Sequence, residues 1–252
     1  MLNVLIPIDF SKTSYSAMSY AIEFQKEFNF SITCLHAYNK NRPKRRVEKF
    51  KTHFPFEFKL ELIAGDLFSG FESYEARNKI DLIIMGTKGA QGIKKLFKGS
   101  NTSNLMLQTN TPILIIPEDT HYESLNKILW ASDFKPLINP NSLDLLKKIA
   151  LSTDSSIRIA HVKTSNKKTN PHTKTEKRWE DKYFGREIRH SFKKIRKSSV
   201  SKGIKFYLDH KDDNNLLVLI RREHGFMDKL FRKNHSEEFA RSPTLPVMII
   251  HE

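Results

Sequence analysis

The residues best suited to chemistry lie in one stretch, Met85 to Ser100 (MGTKGAQGIKKLFKGS), with Asn101 and Thr102 just after it. The chain holds nine glycines, and four of them fall between Gly86 and Gly99. Glycine lets backbone pass close to a ligand and reach positive φ. The stretch follows an apolar run, Leu82 to Met85, which predicts a buried parallel strand. Gly99 and Ser100 open a segment, Asn101 to Gln108, that predicts a helix. A helix start carries unpaired N–H groups and partial positive charge, which suit phosphate. Strand, pliable loop and helix start together describe a nucleotide-phosphate cradle at the carboxyl end of an open α/β sheet. Lys88, Lys94, Lys95 and Lys98 add positive charge around it. A loop of turn glycines without a ligand is the plain alternative.

Two common loops are excluded. No Gly-Lys-Ser/Thr occurs, so this is no Walker A motif, and Gly86-x-x-Gly89 is not the dinucleotide fingerprint. The spacing Gly86-x2-Gly89-x9-Gly99-Ser100 resembles the ATP-binding signature of the universal stress protein family at every defined position.

The surrounding elements must position this loop. Val4 to Asp9 predicts a first strand that delivers Asp9 to a crevice, with Ser11 or Thr13 capping a helix over Ser14 to Phe28. Asp9 capping that helix itself is the competing role. Phe30 to Ala37 predicts the second strand, Asn39 to Lys51 a short helix and Phe56 to Ala64 the third strand. Leu67 to Lys79 predicts a helix, Ile80 to Met85 the fourth strand and Ile113 to Ile116 the fifth. Strands alternating with helices imply a parallel sheet with right-handed crossovers. The expected order is flavodoxin-like or a close relative of it, with the switch point between strands one and four and Asp9 facing the Gly86 loop.

The pattern then restarts. Lys127 to Phe134 (KILWASDF) parallels Asn3 to Phe10 (NVLIPIDF), so Asp133 and Phe134 match Asp9 and Phe10. His161 matches His36, both expected as core or strand-end residues. Leu216 to Ile220 parallels Leu82 to Gly86, and the run after Pro246 parallels that after Pro112. Such self-similarity predicts two copies of one fold, 1–118 and 127–252, joined by a linker at Glu118 to Asn126. The second copy is degenerate: Arg221-Arg222-Glu223-His224 stands against Gly86-Thr87-Lys88-Gly89, and Lys233-Asn234 against Gly99-Ser100. Its third helix is expected to be lost, since between Tyr207 and Leu216 there is room only for a tight loop, HKDDNN at 210–215. In its place Lys177 to Ser198 has helical spacing through Trp179, Tyr183, Ile188, Phe192 and Ile195.

The resemblance therefore covers nearly the whole chain as a tandem universal stress protein, strong in the first half and weak in the second. It implies an α/β fold: two open, parallel five-stranded sheets flanked by helices. It also implies antiparallel pairing of fifth strands, hence an intramolecular pseudo-dimer through Ile113 to Ile116 and Val247 to Ile250, with a homodimer compatible. For the site it implies ATP, with Pro7 and Asp9 at adenosine and Asp9 near the ribose. Ala37 would offer backbone to adenine, and Met85 and Gly86 would line the adenosine side. Gly89, Gly99, Ser100 and Asn101 would hold the phosphates. Asn101 departs from the family's usual aliphatic residue, so only its backbone N–H carries over. By its chemistry alone, Asp9 can accept ribose hydroxyls or help hold Mg2+ or Mn2+ between phosphates.

Composition bounds the rest. The 252 residues favour two ordinary domains, and the lone cysteine, Cys34, fits a reducing compartment. No apolar run is long enough to span a bilayer, and MLNVLIPIDF shows no secretory signal, so the cytoplasm is the default. The net charge is +15, and Lys163 to Lys205 alone holds 15 Lys/Arg against 4 Asp/Glu. A solvated helix and loop making weak, salt-sensitive contact with polyanions is the expected behaviour there.

The leading expectation is a nucleotide-binding regulatory protein of the stress-response type. An ATP-hydrolysing enzyme on the same fold is a second class. Against it stand the missing Walker A lysine, the missing Ser-Gly-Gly loop and the lack of paired acids. A nucleotide-free binding module using the basic second half is a third.

Overall fold

The structure, a computed structural model, describes residues 1–39, 41–88, 109–164, 183–210, 214–222 and 245–252. Gly89, Gly99, Ser100, Asn101, the helix expected over Asn101 to Gln108 and Lys233-Asn234 lie outside the described residues. The chain divides into two compact units, Met1–Tyr122 and Glu123–Glu252.

In the first unit β1 (Leu2–Pro7), β2 (Phe30–Tyr38), β3 (Lys59–Ala64), β4 (Leu82–Thr87) and β5 (Ile113–Pro117) form a parallel sheet in the order β3-β2-β1-β4-β5. β1 therefore has β2 on one side and β4 on the other, which is the expected switch point. Val4, Leu5, Ile6, Ile83, Ile84 and Leu114 are buried, as apolar runs covered on both faces must be. Three helices follow their strands: α1 (Lys12–Gln25), α2 (Lys44–His53) and α3 (Leu67–Glu75). Ser11 caps α1, its hydroxyl accepting from Ser14 N, and Ala17, Met18, Ala21 and Phe24 form the buried stripe. Asp66 caps α3 by accepting from Phe68 N and Ser69 N. Cys34 is buried against Met18 (Sγ–Sδ 3.8 Å), and burial pushes its thiol up to about 12, so it is an inert core residue.

The second unit contains β6 (Lys127–Ala131), a 3-10 turn at Pro140–Leu143 and α4 (Asp144–Ser152), followed by β7 (Ser156–Lys163) and β8 (His190–Arg196). α5 (Val200–Asp209), β9 (Leu216–Arg221) and β10 (Val247–His251) complete it. Its strands are also parallel, in the order β8-β7-β6-β9-β10.

Two sequence expectations need correction here. The third helix is present, as α5, and part of the segment read as helical, His190–Arg196, is a strand. Phe192 and Ile195 stand three apart, which mimics a helix face, yet the stretch is paired along its whole length with β7. α5 starts where Ser199 accepts from Lys202 N, and it buries Ile204 and Tyr207 three residues apart. It lies so close to β7 that a Cβ at Gly203 would sit 2.4 Å from Val162 Cγ1. The second correction concerns register. β9 pairs with β6 and β10 as β4 pairs with β1 and β5; this sets Ile220 in the place of Gly86, as the parallel of Leu216 to Ile220 with Leu82 to Gly86 has it, and not Arg221, as the comparison of the two loops has it.

Candidate functional site

The carboxyl ends of β1, β2 and β4 open onto a cavity of about 290 Å³. Pro7, Ile8 and Asp9 line it from β1, with Thr13 and Ser14 from the start of α1. His36, Ala37 and Asn39 come from β2, Gly65 to Leu67 from the entry to α3, and Met85 and Gly86 from β4. Five residues expected at an adenosine site, Pro7, Asp9, Ala37, Met85 and Gly86, thus share one wall.

Asp9 is held by one oxygen. Its Oδ1 accepts from Ser11 N (2.9 Å) and Ser14 Oγ (2.6 Å), while Ser14 Oγ in turn accepts from Asp9 N (3.0 Å). Oδ2 has no partner among the described residues. Desolvation by the crevice wall alone would raise the carboxyl pKa; the hydrogen bonds from Ser11 and Ser14 outweigh it and hold the pKa below its ordinary value of 3.8. Asp9 is therefore a fixed anion with one oxygen on offer. The helix cap is Ser11, and Asp9 braces it from the preceding turn.

That turn is built by the next residue. Phe10 has φ 60°, unusual for an aromatic residue, and its ring packs 4.5 Å from that of His36. His36 is buried, and its Nδ1 donates to Ile8 O (2.8 Å). The histidine thus fixes the turn that aims Asp9, as a strand-end residue rather than a ligand. Gly86 is required by packing. A Cβ there would lie 2.0 Å from the carbonyl oxygen of Thr13, so the first turn of α1 rests directly on β4.

Asn39, Gly65 and Asp66 were not singled out as site residues. Gly65 adopts φ 114° in the turn between β3 and α3. Asp66 Oδ1 accepts from Phe68 N and Ser69 N, and its Oδ2 accepts from Ser69 Oγ (2.7 Å). These bonds, the backbone bond to Ser69 first, hold its pKa low. Among the described residues no cluster of three or more His, Cys, Asp or Glu is placed to hold a metal ion. Asp9 Oδ2 alone can supply one oxygen to a cation already carried by phosphate.

The corresponding place in the second unit is built alike and filled differently. Phe134 has φ 58° and stacks on His161 at 4.9 Å, whose Nδ1 donates to Ser132 O (3.0 Å). Asp133 Oδ1 accepts from Lys135 N (3.1 Å), as Asp9 does from Ser11 N. Here, however, Arg222 occupies the crevice side. Its Nη1 bonds Asp133 Oδ1 (3.1 Å), its Nη2 bonds the carbonyls of Lys135 (3.1 Å) and Pro136 (3.3 Å), and its Nε bonds Glu252. The Glu252 side chain is fully buried.

Residues 55–117, which span the glycine loop, match the universal stress protein family. A universal stress protein of Methanocaldococcus jannaschii is 21% identical over 136 residues, covering 45% of this chain and 80% of that protein. A universal stress protein of Synechocystis sp. is 33% identical over 68 residues, 27% of this chain and 24% of that protein. The crystal structure of a universal stress protein from Archaeoglobus fulgidus superposes with a TM-score of 0.69. That match covers 99% of this chain and 96% of the other at 19% identity, and it shows the fold. The likeness to universal stress proteins thus lies in residues 55–117 and in the stretches aligned with the two relatives, and the shared fold extends over nearly the whole chain.

Proposed function

We propose that the chain is a stress-response regulatory protein that binds ATP in the crevice of its first unit. The observation that carries this is the shared wall of Pro7, Asp9, Ala37, Met85 and Gly86 around the cavity. Its volume of about 290 Å³ is at the small end for ligand pockets, a size suited to the nucleoside half of the ligand. In this reading Asp9 Oδ2 accepts the ribose hydroxyls and the backbone at Ala37 meets adenine. Gly89, Gly99, Ser100 and the N–H of Asn101 carry the phosphates. Where Mg2+ or Mn2+ accompanies the phosphates, Asp9 is the protein oxygen nearest in kind. Binding then biases conformation or association.

The test is the nucleotide content of the protein as purified, released by denaturation and resolved by chromatography, followed by calorimetry. Gly99→Arg fills the space that phosphate needs and should abolish ATP binding while leaving the melting temperature unchanged. Unchanged affinity would show the cradle assignment to be wrong. The pseudo-dimer implied by the family belongs to the same proposal. Residues 1–118 alone should self-associate on a sizing column, and a well-folded monomer counts against it. No helix among the described residues is long and apolar enough to cross a membrane.

A further inference from the structure

Beyond the crevice, positive charge gathers where β7 and β8 end. Residues 183–210 hold eight Lys/Arg and two Asp/Glu. Lys193 and Arg196 are exposed, and Lys163, Lys197 and Lys205 are partly so. None of these five has a carboxylate within ion-pair distance among the described residues. Lys163 on β7 is the register partner of Arg196 on β8, and Lys197 N bonds Lys163 O (3.4 Å). Like charges set opposite each other on paired strands are destabilising. Lysines on an outer strand are a common guard against unwanted strand pairing. That does not explain Lys163, because β7 lies between β6 and β8 in its unit's strand order. The register thus sets two cations side by side at a position where edge protection gives no reason for Lys163.

We infer that this surface binds the phosphate backbone of a nucleic acid. A specific protein interface needs an apolar centre, and a membrane-surface element needs an exposed apolar face. Neither is present among the described residues: Ile195 is buried, and Phe206 is the one exposed large hydrophobic side chain described in 183–210. Phe206 is itself covered by Lys197 Nζ, 3.6 Å from its centroid, and by the His210 ring at 4.2 Å. A polyphosphate chain needs only closely spaced cations, because neutralising phosphates releases counterions. The juxtaposed Lys163 and Arg196 then both contact a shared anion. These residues belong to the second unit and none of them lines the first unit's cavity, so this inference does not rest on the ATP proposal.

The experiment is fluorescence anisotropy of a labelled single-stranded oligonucleotide, about 16 nucleotides long, with the full chain over a salt series. Affinity should fall linearly with salt on logarithmic axes. The variant Lys163→Gln/Arg196→Gln/Lys197→Gln should reduce that slope by about 2, at roughly 0.7 per lost phosphate contact. It should also melt at a higher temperature than the wild type in low salt, which reports the relieved repulsion. An unchanged slope and affinity in that folded variant overturn the inference. Tighter binding to phosphatidylserine-containing vesicles than to the oligonucleotide overturns it in favour of a lipid surface. Should the triple variant fail to fold, Lys163→Gln alone must lower the slope by about 0.7, and no change overturns it equally.

Discussion

A methyl group added at residue 86 would stand 2.0 Å from the Thr13 carbonyl oxygen and 2.9 Å from Thr13 Cβ. Backbone atoms cannot move aside cheaply, so Gly86→Ala should destabilise the protein by about 1–3 kcal/mol. Chemical denaturation measures this directly, and a neutral result would mean that α1 does not rest on β4. The need for glycine at this position was legible in the sequence. The packing reason for it was not, because the close approach at Thr13 is made by a helix distant in the chain. Asp9 makes a different prediction, through pH. Desolvation works against its ionised form and the Ser11 and Ser14 hydrogen bonds work for it, leaving the folded pKa below the ordinary 3.8. A depressed folded pKa contributes stability above the unfolded value, and that stability is lost as pH falls through the folded pKa. The advantage of wild type over Asp9→Asn should therefore be present at neutral pH and shrink on the acid side of 3.8. Thermal melts of both proteins across that range check the sign; a gap that widens in acid refutes it.

At the scale of elements, strands flanked by strong turn signals were legible and those without them were not. β1, β2 and β4 are continuous apolar runs, and each falls within two residues of its expected position. β8 carries the sequence HSFKKIR, in which alternation is broken by adjacent lysines and the apolar residues sit at a helix-like interval. Only its pairing with β7 identifies it as a strand. The helix after it was hidden because GIKFYL is rich in residues that favour strands, while the signal that decides it is the Ser199 cap. The same limit applied to Arg222, a polar residue just past a strand, whose partners come from two separate places in the chain. Its guanidinium joins Asp133, the carbonyls of Lys135 and Pro136, and the buried Glu252. Removing one member of a buried ion pair leaves the other charge uncompensated, so Arg222→Ala should cost about 3–5 kcal/mol. Arg222→Lys should recover little, since a single ammonium cannot reproduce the planar fork. Equilibrium denaturation of the two variants decides this. Equal stability of wild type and Arg222→Ala would show that the network is ornamental to the fold.

At the scale of the whole molecule, the two units share a strand order and a turn with an aromatic at positive φ, yet their crevices differ in what they offer. In the first, Asp9 Oδ2 has no partner among the described residues and glycine stands at position 86. In the second, Asp133 is committed to Arg222, with Lys135 Nζ 4.0 Å from its other oxygen. Ile220 stands in the register position of Gly86, so a side chain takes the place of a bare backbone. A free guanidinium would bind phosphate well, but every nitrogen of Arg222 already has an oxygen partner. A nucleotide entering there would have to break this network and leave Glu252 without its cation. We therefore expect one nucleotide per chain. Titration with a non-hydrolysable ATP analogue, against protein concentration fixed by amino-acid analysis, should give a stoichiometry of one. Asp9→Ala should remove that site, whereas Asp133→Ala should leave its affinity unchanged. Two equivalent sites, or loss of binding in Asp133→Ala with Asp9→Ala unaffected, would place the nucleotide in the other unit and refute this account.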